Sequence, residues 1–157
     1  MQLVELLRVL VRHEVEFVVV GGVAAVINGA PVTTFDLDIL HRRTPENVHR
    51  LVAALTELDA TFRTDSRKIR PTESHLSGPG HALLVTKLGV LDSLGTIETN
   101  TTYEDVLDDT FVTNIDGLPI RALELARLIR VKEQAGRAKD IAVLPVLRAT
   151  LVERKGS

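Results

Sequence analysis

Hydrophobic and polar positions follow two different periods along the chain, and their order predicts a mixed α/β fold. Residues 2–13 repeat apolar side chains every three to four positions, which predicts an amphipathic first helix. Residues 17–20 form a short, uninterrupted apolar run, which predicts a buried strand. A glycine pair, Gly21-Gly22, ends that strand, and residues 23–28 predict a short helix behind it.

The next segment has two different faces. Residues 34–40 alternate polar and apolar side chains, which predicts a strand on which Asp36 and Asp38 share one face. A threonine-proline helix start at residues 44–45 follows, and it predicts a helix that runs to about residue 59.

The second half of the chain predicts the remaining strands and the C-terminal helices. Its segments are a mobile loop at 64–80, strands at 81–87 and 90–97, a short helix at 103–108, strands at 111–115 and 118–121, and helices at 122–135 and 138–154. The whole pattern predicts an α/β (α+β) fold, with a mixed β-sheet flanked by helices and a helical C-terminal segment. We expect one domain over residues 1–157, with a sheet-bearing catalytic part at 1–121 and C-terminal helices at 122–157.

Composition narrows the chemistry that this chain can perform. The 157 residues include no cysteine, which excludes disulfides, thiol nucleophiles and cysteine-based metal sites. The formal net charge is −2, so broad electrostatic capture of DNA, RNA or an anionic membrane is not expected. Charged residues interrupt the N-terminal apolar pattern early, and no stretch reaches the roughly 18 uncharged apolar residues of a membrane span. We therefore expect a cytoplasmic protein.

Two short patterns carry candidate chemistry. Asp36 and Asp38 stand two residues apart on a predicted strand, so their carboxylates point the same way and can both ligate a hard cation such as Mg²⁺. The alternative is the solvated face of an edge strand. Upstream, a buried strand leads into Gly21-Gly22 and a helix start, where backbone N–H groups can face a phosphate. The alternative here is a plain turn.

These residues together resemble the signature of the nucleotidyltransferase superfamily, which has a DNA polymerase β-like fold. The resemblance rests on Gly21-Gly22 followed by the stretch Thr34-Phe35-Asp36-Leu37-Asp38, and with Pro31 it is similar to bacterial toxin–antitoxin and abortive-infection members.

The resemblance implies roles for these residues. Gly21, Gly22 and Thr34 would bind the nucleotide, while Asp36 and Asp38 would hold Mg²⁺ (or Mn²⁺). Asp92, on a neighbouring strand, is similar in context to the third metal-binding acid of that family. One departure is that many members have a serine as the second residue of the glycine motif, whereas this chain has Gly22 followed by Val23, so a hydroxyl contact to phosphate is missing there.

Basic residues near the C-terminus complete the predicted site. Lys132 continues an apolar helical stripe and tends inward, where a lysine can also simply extend past the core to solvent. The resemblance implies that Lys132 faces the nucleotide and extends the same role to Lys139. Arg137 and Asp140 are interpreted as a surface ion pair, which would contribute little to stability.

The function that the resemblance implies is metal-dependent transfer of a nucleoside monophosphate from an NTP to an acceptor hydroxyl. The acceptor can be RNA such as tRNA, a protein, or a small molecule such as a sugar or antibiotic. Asp92 is the candidate general base. The loop at 64–80, with Arg63 beside it, is the candidate acceptor-facing segment, and a solvated loop is the alternative. A rival hypothesis is a catalytically degenerate binding protein that serves as one partner of a toxin–antitoxin pair.

Overall fold

A mixed β-sheet with helices packed against it forms the core of the protein. The computed structural model describes residues 1–156. Its strands are Phe17–Val20 (β1), Asp36–His41 (β2), Thr61–Phe62 (β3), His81–Thr86 (β4), Gly89–Leu94 (β5), Thr110–Ile115 (β6) and Leu118–Leu123 (β7). Its helices are Leu3–Arg12 (α1), Gly21–Ile27 (α2), Pro45–Glu57 (α3), Glu73–Ser77 (α4), Tyr103–Val106 (α5), Leu125–Ala135 (α6) and Ala138–Lys155 (α7). The predicted mixed sheet, flanking helices and helical C-terminal segment are confirmed.

The strand order in the sheet is β3-β4-β5-β2-β1-β7-β6. β1 runs antiparallel to β2 and parallel to β7, and β2 runs parallel to β5. The two central strands bring fully buried side chains to the core, among them Val18, Val19, Leu37 and Ile39. Burial of such side chains is the main stabilising contribution to a sheet of this kind.

Helices pack against the sheet through the apolar faces that the sequence predicts. α1 contacts α3 and β7, while α2 contacts β1, β2, β7 and α6. The start of α3 is capped as predicted, because the Thr44 hydroxyl accepts from the backbone N–H of Asn47 and Pro45 occupies the first helical position. Among residues 1–156, no helix combines the length and hydrophobicity needed to cross a membrane.

Three predicted boundaries were wrong by a few residues. β7 continues to Leu123 because Ala122 still pairs with β6, so α6 begins at Leu125 instead of residue 122. β5 ends at Leu94 instead of residue 97, and the next backbone N–H, that of Gly95, donates outside the strand to Gly80. The helix that begins at Tyr103 narrows into a 3₁₀ turn over residues 107–109.

The segment at 64–80 is more ordered than the predicted mobile loop. Backbone hydrogen bonds from Phe62 to Ile69 and from Lys68 to Asp65 close a tight turn. Helix α4 follows, with the Thr72 hydroxyl and the His75 ring forming a reciprocal cap. The prediction of a loop missed the helix Glu73–Ser77, because composition rich in polar residues and glycine does not reveal these local hydrogen bonds.

Candidate active site

Three carboxylates converge at one place on the sheet. Asp38 of β2 lies directly beside Asp92 of β5 in the parallel register, and Asp36 is two residues earlier on the same strand face. One oxygen from each carboxylate lies within 4.8 Å of the others. This all-oxygen set fits the preference of Mg²⁺ and Mn²⁺ for hard ligands. Proximity of the three predicted acids is thus a structural fact, whereas their metal-binding role stays a prediction.

Gly21 makes this position of Asp38 possible. Gly21 is the first residue of α2 and has a φ of +65°, a backbone conformation that residues other than glycine rarely adopt. A Cβ atom at residue 21 would come within 2.2 Å of Asp38 Oδ2. The glycine pair belongs to the start of α2, which spans Gly21–Ile27, instead of preceding the helix as predicted.

The second glycine meets Thr34. A Cβ atom at Gly22 would lie 2.7 Å from Thr34 Oγ1, so this hydroxyl packs directly over the helix start. The same hydroxyl donates to the backbone carbonyl of Asp36 over 3.2 Å. Thr34 therefore holds the backbone just before Asp36, the first of the three carboxylates. Its hydroxyl lies next to Gly22 of the glycine pair.

The environment of Asp38 strongly perturbs the acidity of its carboxyl group. Burial, followed by repulsion from Asp36 and Asp92, raises the pKa of Asp38 from 3.8 to about 7. The positive charges of Lys132 and Lys139 act in the opposite direction, toward a lower pKa. Both lysines thus lie within electrostatic range of Asp38, and a bound cation would favour its charged form further.

Arg63 neutralises part of the cluster. Its guanidinium bonds both oxygens of Asp92, with Nη2 donating to Oδ2 over 3.1 Å and Nη1 donating to Oδ1. Asp92 is only 7% exposed, so its carboxylate is largely removed from water. Two other basic residues of the segment have local partners, since Arg67 pairs with Asp65 and Arg70 with Asp59. The acceptor-facing role of this segment stays a prediction.

A second buried acid anchors the lysine of α6. Lys132 Nζ lies 3.2 Å from Asp140 Oδ1, and Arg137 Nε donates to Asp140 Oδ2 over 2.6 Å. Asp140 is fully buried, so the prediction of a surface pair was wrong. Burial alone would raise the pKa of Asp140, but hydrogen bonds from Arg137 and Lys132 outweigh it and lower the pKa.

A cleft connects these residues. Its inner part, about 100 Å³, is lined by Gly21, Asp38, Lys132, Arg137 and Asp140 together with apolar side chains. An outer part of about 390 Å³ lies between the end of β5 and α6, and Arg137 borders both. Lys132, the predicted lysine of α6, therefore shares a concave surface with Asp38 and with Gly21 at the start of α2.

Comparison with known proteins places this arrangement in a family. The sequence model of the aminoglycoside-2''-adenylyltransferase family matches residues 2–125, which include all three carboxylates and the glycine pair. The chain belongs to the aminoglycoside-2''-adenylyltransferase family. It is a nucleotidyltransferase, as the sequence predicted, whereas the toxin–antitoxin subtype stays a prediction.

Solved structures agree with this family at the level of the fold. A Thermotoga maritima protein provisionally assigned as a nucleotidyltransferase superposes with a TM-score of 0.59 at 19% identity. The alignment covers 96% of this adenylyltransferase-family chain and 91% of the Thermotoga chain. Comparison with curated proteins gives no match.

Sequence reasoning missed two partners of the predicted site. Arg63 was grouped with neighbouring surface charges, and only the pairing of β3 with β4 and of β4 with β5 brings it to Asp92. Asp140 was interpreted as exposed, although its spacing of eight residues from Lys132 across Gly136 is compatible with a contact between two helices. The sequence predicted the pairing of Arg137 with Asp140, but not the burial of Asp140.

Proposed function

We propose that this adenylyltransferase-family member transfers AMP from ATP to an acceptor hydroxyl in a metal-dependent reaction. The observation that carries the proposal is the convergence of Asp36, Asp38 and Asp92 within 4.8 Å beside the glycine start of α2. The family description supports adenylyl transfer in particular.

The three carboxylates would hold Mg²⁺ or Mn²⁺. A divalent cation there would neutralise charge on the triphosphate and make the α-phosphorus more electrophilic. Asp38 must lose its proton to act as a ligand, so metal binding is expected to weaken below about pH 7. Gly21 keeps the Asp38 carboxylate in place by leaving room for it.

The nucleotide would lie in the cleft between α2 and α6. In this proposal Gly21, Gly22 and Thr34 line the phosphate end, and Lys132 and Lys139 offset phosphate charge. Lys132 keeps its position through Asp140, because an ammonium group has three N–H donors and can serve both a carboxylate and a phosphate.

The reaction requires a base and an acceptor. Asp92 would accept the proton of the acceptor hydroxyl as its oxygen attacks the α-phosphorus, the bond to the bridging oxygen breaks, and pyrophosphate leaves. We propose an aminoglycoside hydroxyl as the acceptor, following the family description. Phe35 is 79% exposed and directly precedes Asp36, so its ring is available to pack against the C–H face of a sugar.

The test is transfer of label from α-³²P-ATP to an aminoglycoside, with tRNA and total protein as parallel acceptors. Wild type with Mg²⁺ should label the aminoglycoside, and Asp36→Asn or Asp38→Asn should reduce the rate at least about a hundredfold. Asp116→Asn, which alters an exposed aspartate paired with Arg8, should leave the rate unchanged. Labelling of tRNA or protein instead of the aminoglycoside would support the proposed nucleotidyl transfer and contradict the aminoglycoside as the acceptor.

A binding function without turnover is the alternative. Two observations favour it, namely the missing hydroxyl at Gly22, where many members have serine, and the occupation of both Asp92 oxygens by Arg63. Two results together would support this toxin–antitoxin role. The protein would bind ATP with metal but label no acceptor, and it would co-purify with a partner encoded beside it.

A further inference from the structure

Arg63 lies where its charge acts on the whole carboxylate cluster. Its guanidinium bonds both oxygens of Asp92, and the negative charges of Asp36 and Asp38 also raise the pKa of Arg63. The three acids, at mutual oxygen distances within 4.8 Å, would repel one another without a cation. Arg63 therefore supplies positive charge at the place where the proposed metal would supply it.

The backbone of Arg63 is fixed while its side chain can move. The Arg63 N–H donates to Leu83 over 3.0 Å, and the preceding residue, Phe62, is held by Ile69 over 2.9 Å. The Arg63 side chain is 32% exposed, in contrast to 10% for that of Asp92. An arginine with this anchoring can swing from one partner to another without rearranging the sheet.

The bidentate hydrogen bonding of Arg63 to both oxygens of Asp92 competes with the binding of a metal ion by those oxygens. A carboxylate that accepts two charge-assisted hydrogen bonds has part of its lone-pair capacity occupied, and a second cation placed beside the guanidinium would be repelled by it. Release of at least one oxygen of Asp92 by Arg63 would therefore favour the binding of a cation by Asp92 as a third ligand.

We propose that Arg63 is a positioning residue that closes the metal site until nucleotide arrives. It bonds both oxygens of Asp92 in this structure, and when released it would lie at the edge of the cluster, where a triphosphate would offer an alternative bidentate partner. Metal and nucleotide would then bind cooperatively, because phosphate stabilises the released arginine. This inference rests on the proposed metal-dependent function.

The experiment is a calorimetric Mn²⁺ titration of full-length Arg63→Gln and wild type, each with and without a non-hydrolysable ATP analogue. Arg63→Gln should bind Mn²⁺ alone roughly tenfold more tightly, the size of one lost charge-assisted competitor. The analogue should improve Mn²⁺ affinity in wild type and improve it much less in the variant. Arg67→Gln and Arg70→Gln are matched controls, because these arginines pair with Asp65 and Asp59 and should leave both affinities unchanged.

Arg63→Lys is a second variant that keeps the inference testable if Arg63→Gln fails to fold. A lysine keeps the charge but not the fork, so its Mn²⁺ affinity should fall between those of wild type and Arg63→Gln. Equal or weaker Mn²⁺ binding by Arg63→Gln, with binding intact in wild type, would overturn the inference and show that Arg63 only orients Asp92. Absence of Mn²⁺ binding in every variant would overturn this inference and the proposed metal-dependent function together.

Discussion

At the residue scale, the contact between Gly21 and Asp38 determines whether the carboxylate cluster can form. The sequence predicted both residues as functional, and it predicted that Asp36 and Asp38 share a strand face, because side-chain alternation is a local property. It could not predict that the glycine is needed to leave room for Asp38. That contact depends on how closely α2 approaches β2, which is a property of the packed molecule.

Replacement of Gly21 by alanine tests this contact. Gly21→Ala should cost about 1 kcal/mol in backbone strain and should also displace Asp38, so metal binding is lost. Gly29→Ala is the matched control, because Gly29 also has a positive φ but nothing lies within 4 Å of its missing Cβ. Mn²⁺ calorimetry and chemical denaturation distinguish the two. Similar metal affinity in both variants would contradict the proposed packing role of Gly21.

The raised pKa of Asp38 predicts a pH-dependent stability without metal. The folded-state pKa of about 7 exceeds the ordinary value of 3.8, so between these values the folded protein binds more protons and its stability falls as the pH rises. Asp38→Asn removes the titrating carboxyl group and therefore this loss of stability with rising pH. It should raise the free energy of unfolding at pH 8 by on the order of 2 kcal/mol and change it little at pH 4.

The measurement is urea denaturation of wild type and Asp38→Asn across that pH range, with chelator present. The difference between the two proteins isolates this carboxyl from other titrating groups. A constant difference from pH 4 to pH 8 would contradict a raised pKa. Saturating Mg²⁺ should reverse the order at pH 8, because only wild type gains the stabilisation of a bound metal.

At the element scale, the junction of α6 and α7 positions the lysine of the proposed nucleotide site. Helix α6 ends at Gly136 in a left-handed conformation, and Asp140 of α7 then reaches back to Lys132. The sequence predicted both helices and the glycine between them, because periodicity and a glycine stop are local signals. The inward turn of Asp140 was not predictable, since it depends on the angle between two helices.

Loss of Asp140 should therefore destabilise this junction. Asp140→Asn removes the negative charge that faces Lys132 and Arg137 in a buried position, and we expect a loss of about 2–3 kcal/mol in the free energy of unfolding. Glu133→Gln is the control, because its pair with Arg148 is about half exposed and should contribute less than about 0.5 kcal/mol. Equal losses in the two variants would show that Asp140 has no special structural role.

At the scale of the whole molecule, sheet topology assembles the candidate site from distant parts of the chain. β2 and β5 are more than fifty residues apart in sequence, and their parallel pairing sets Asp38 beside Asp92. The sequence identified Asp92 only through a family resemblance, because strand pairing over such a separation leaves no local pattern. The sequence predicted β4 and β5 as adjacent strands, but it did not predict β3, whose pairing with β4 brings Arg63 to Asp92 and whose two residues are too few to form a pattern.

The expectation of a single domain over residues 1–157 stays a prediction with a direct test. α7 contacts α6 along the helix pair, and Arg154 near its end donates to Asn28 of the α2 C-cap over 2.7 Å. These contacts predict that the C-terminal helices unfold together with the sheet. Circular dichroism and intrinsic Tyr103 fluorescence should give coincident transitions, whereas an earlier loss of helical signal would indicate two folding units.

The most direct test of the central claim is calorimetric titration of ATP analogue with Mg²⁺ into wild type, Asp36→Asn/Asp38→Asn, and the control Asp116→Asn. The proposed function predicts metal-dependent binding to wild type and to the control, and loss of that binding in the double variant. Binding to the double variant with wild-type affinity, or no binding to a folded wild type, would contradict a metal–nucleotide site at Asp36, Asp38 and Asp92.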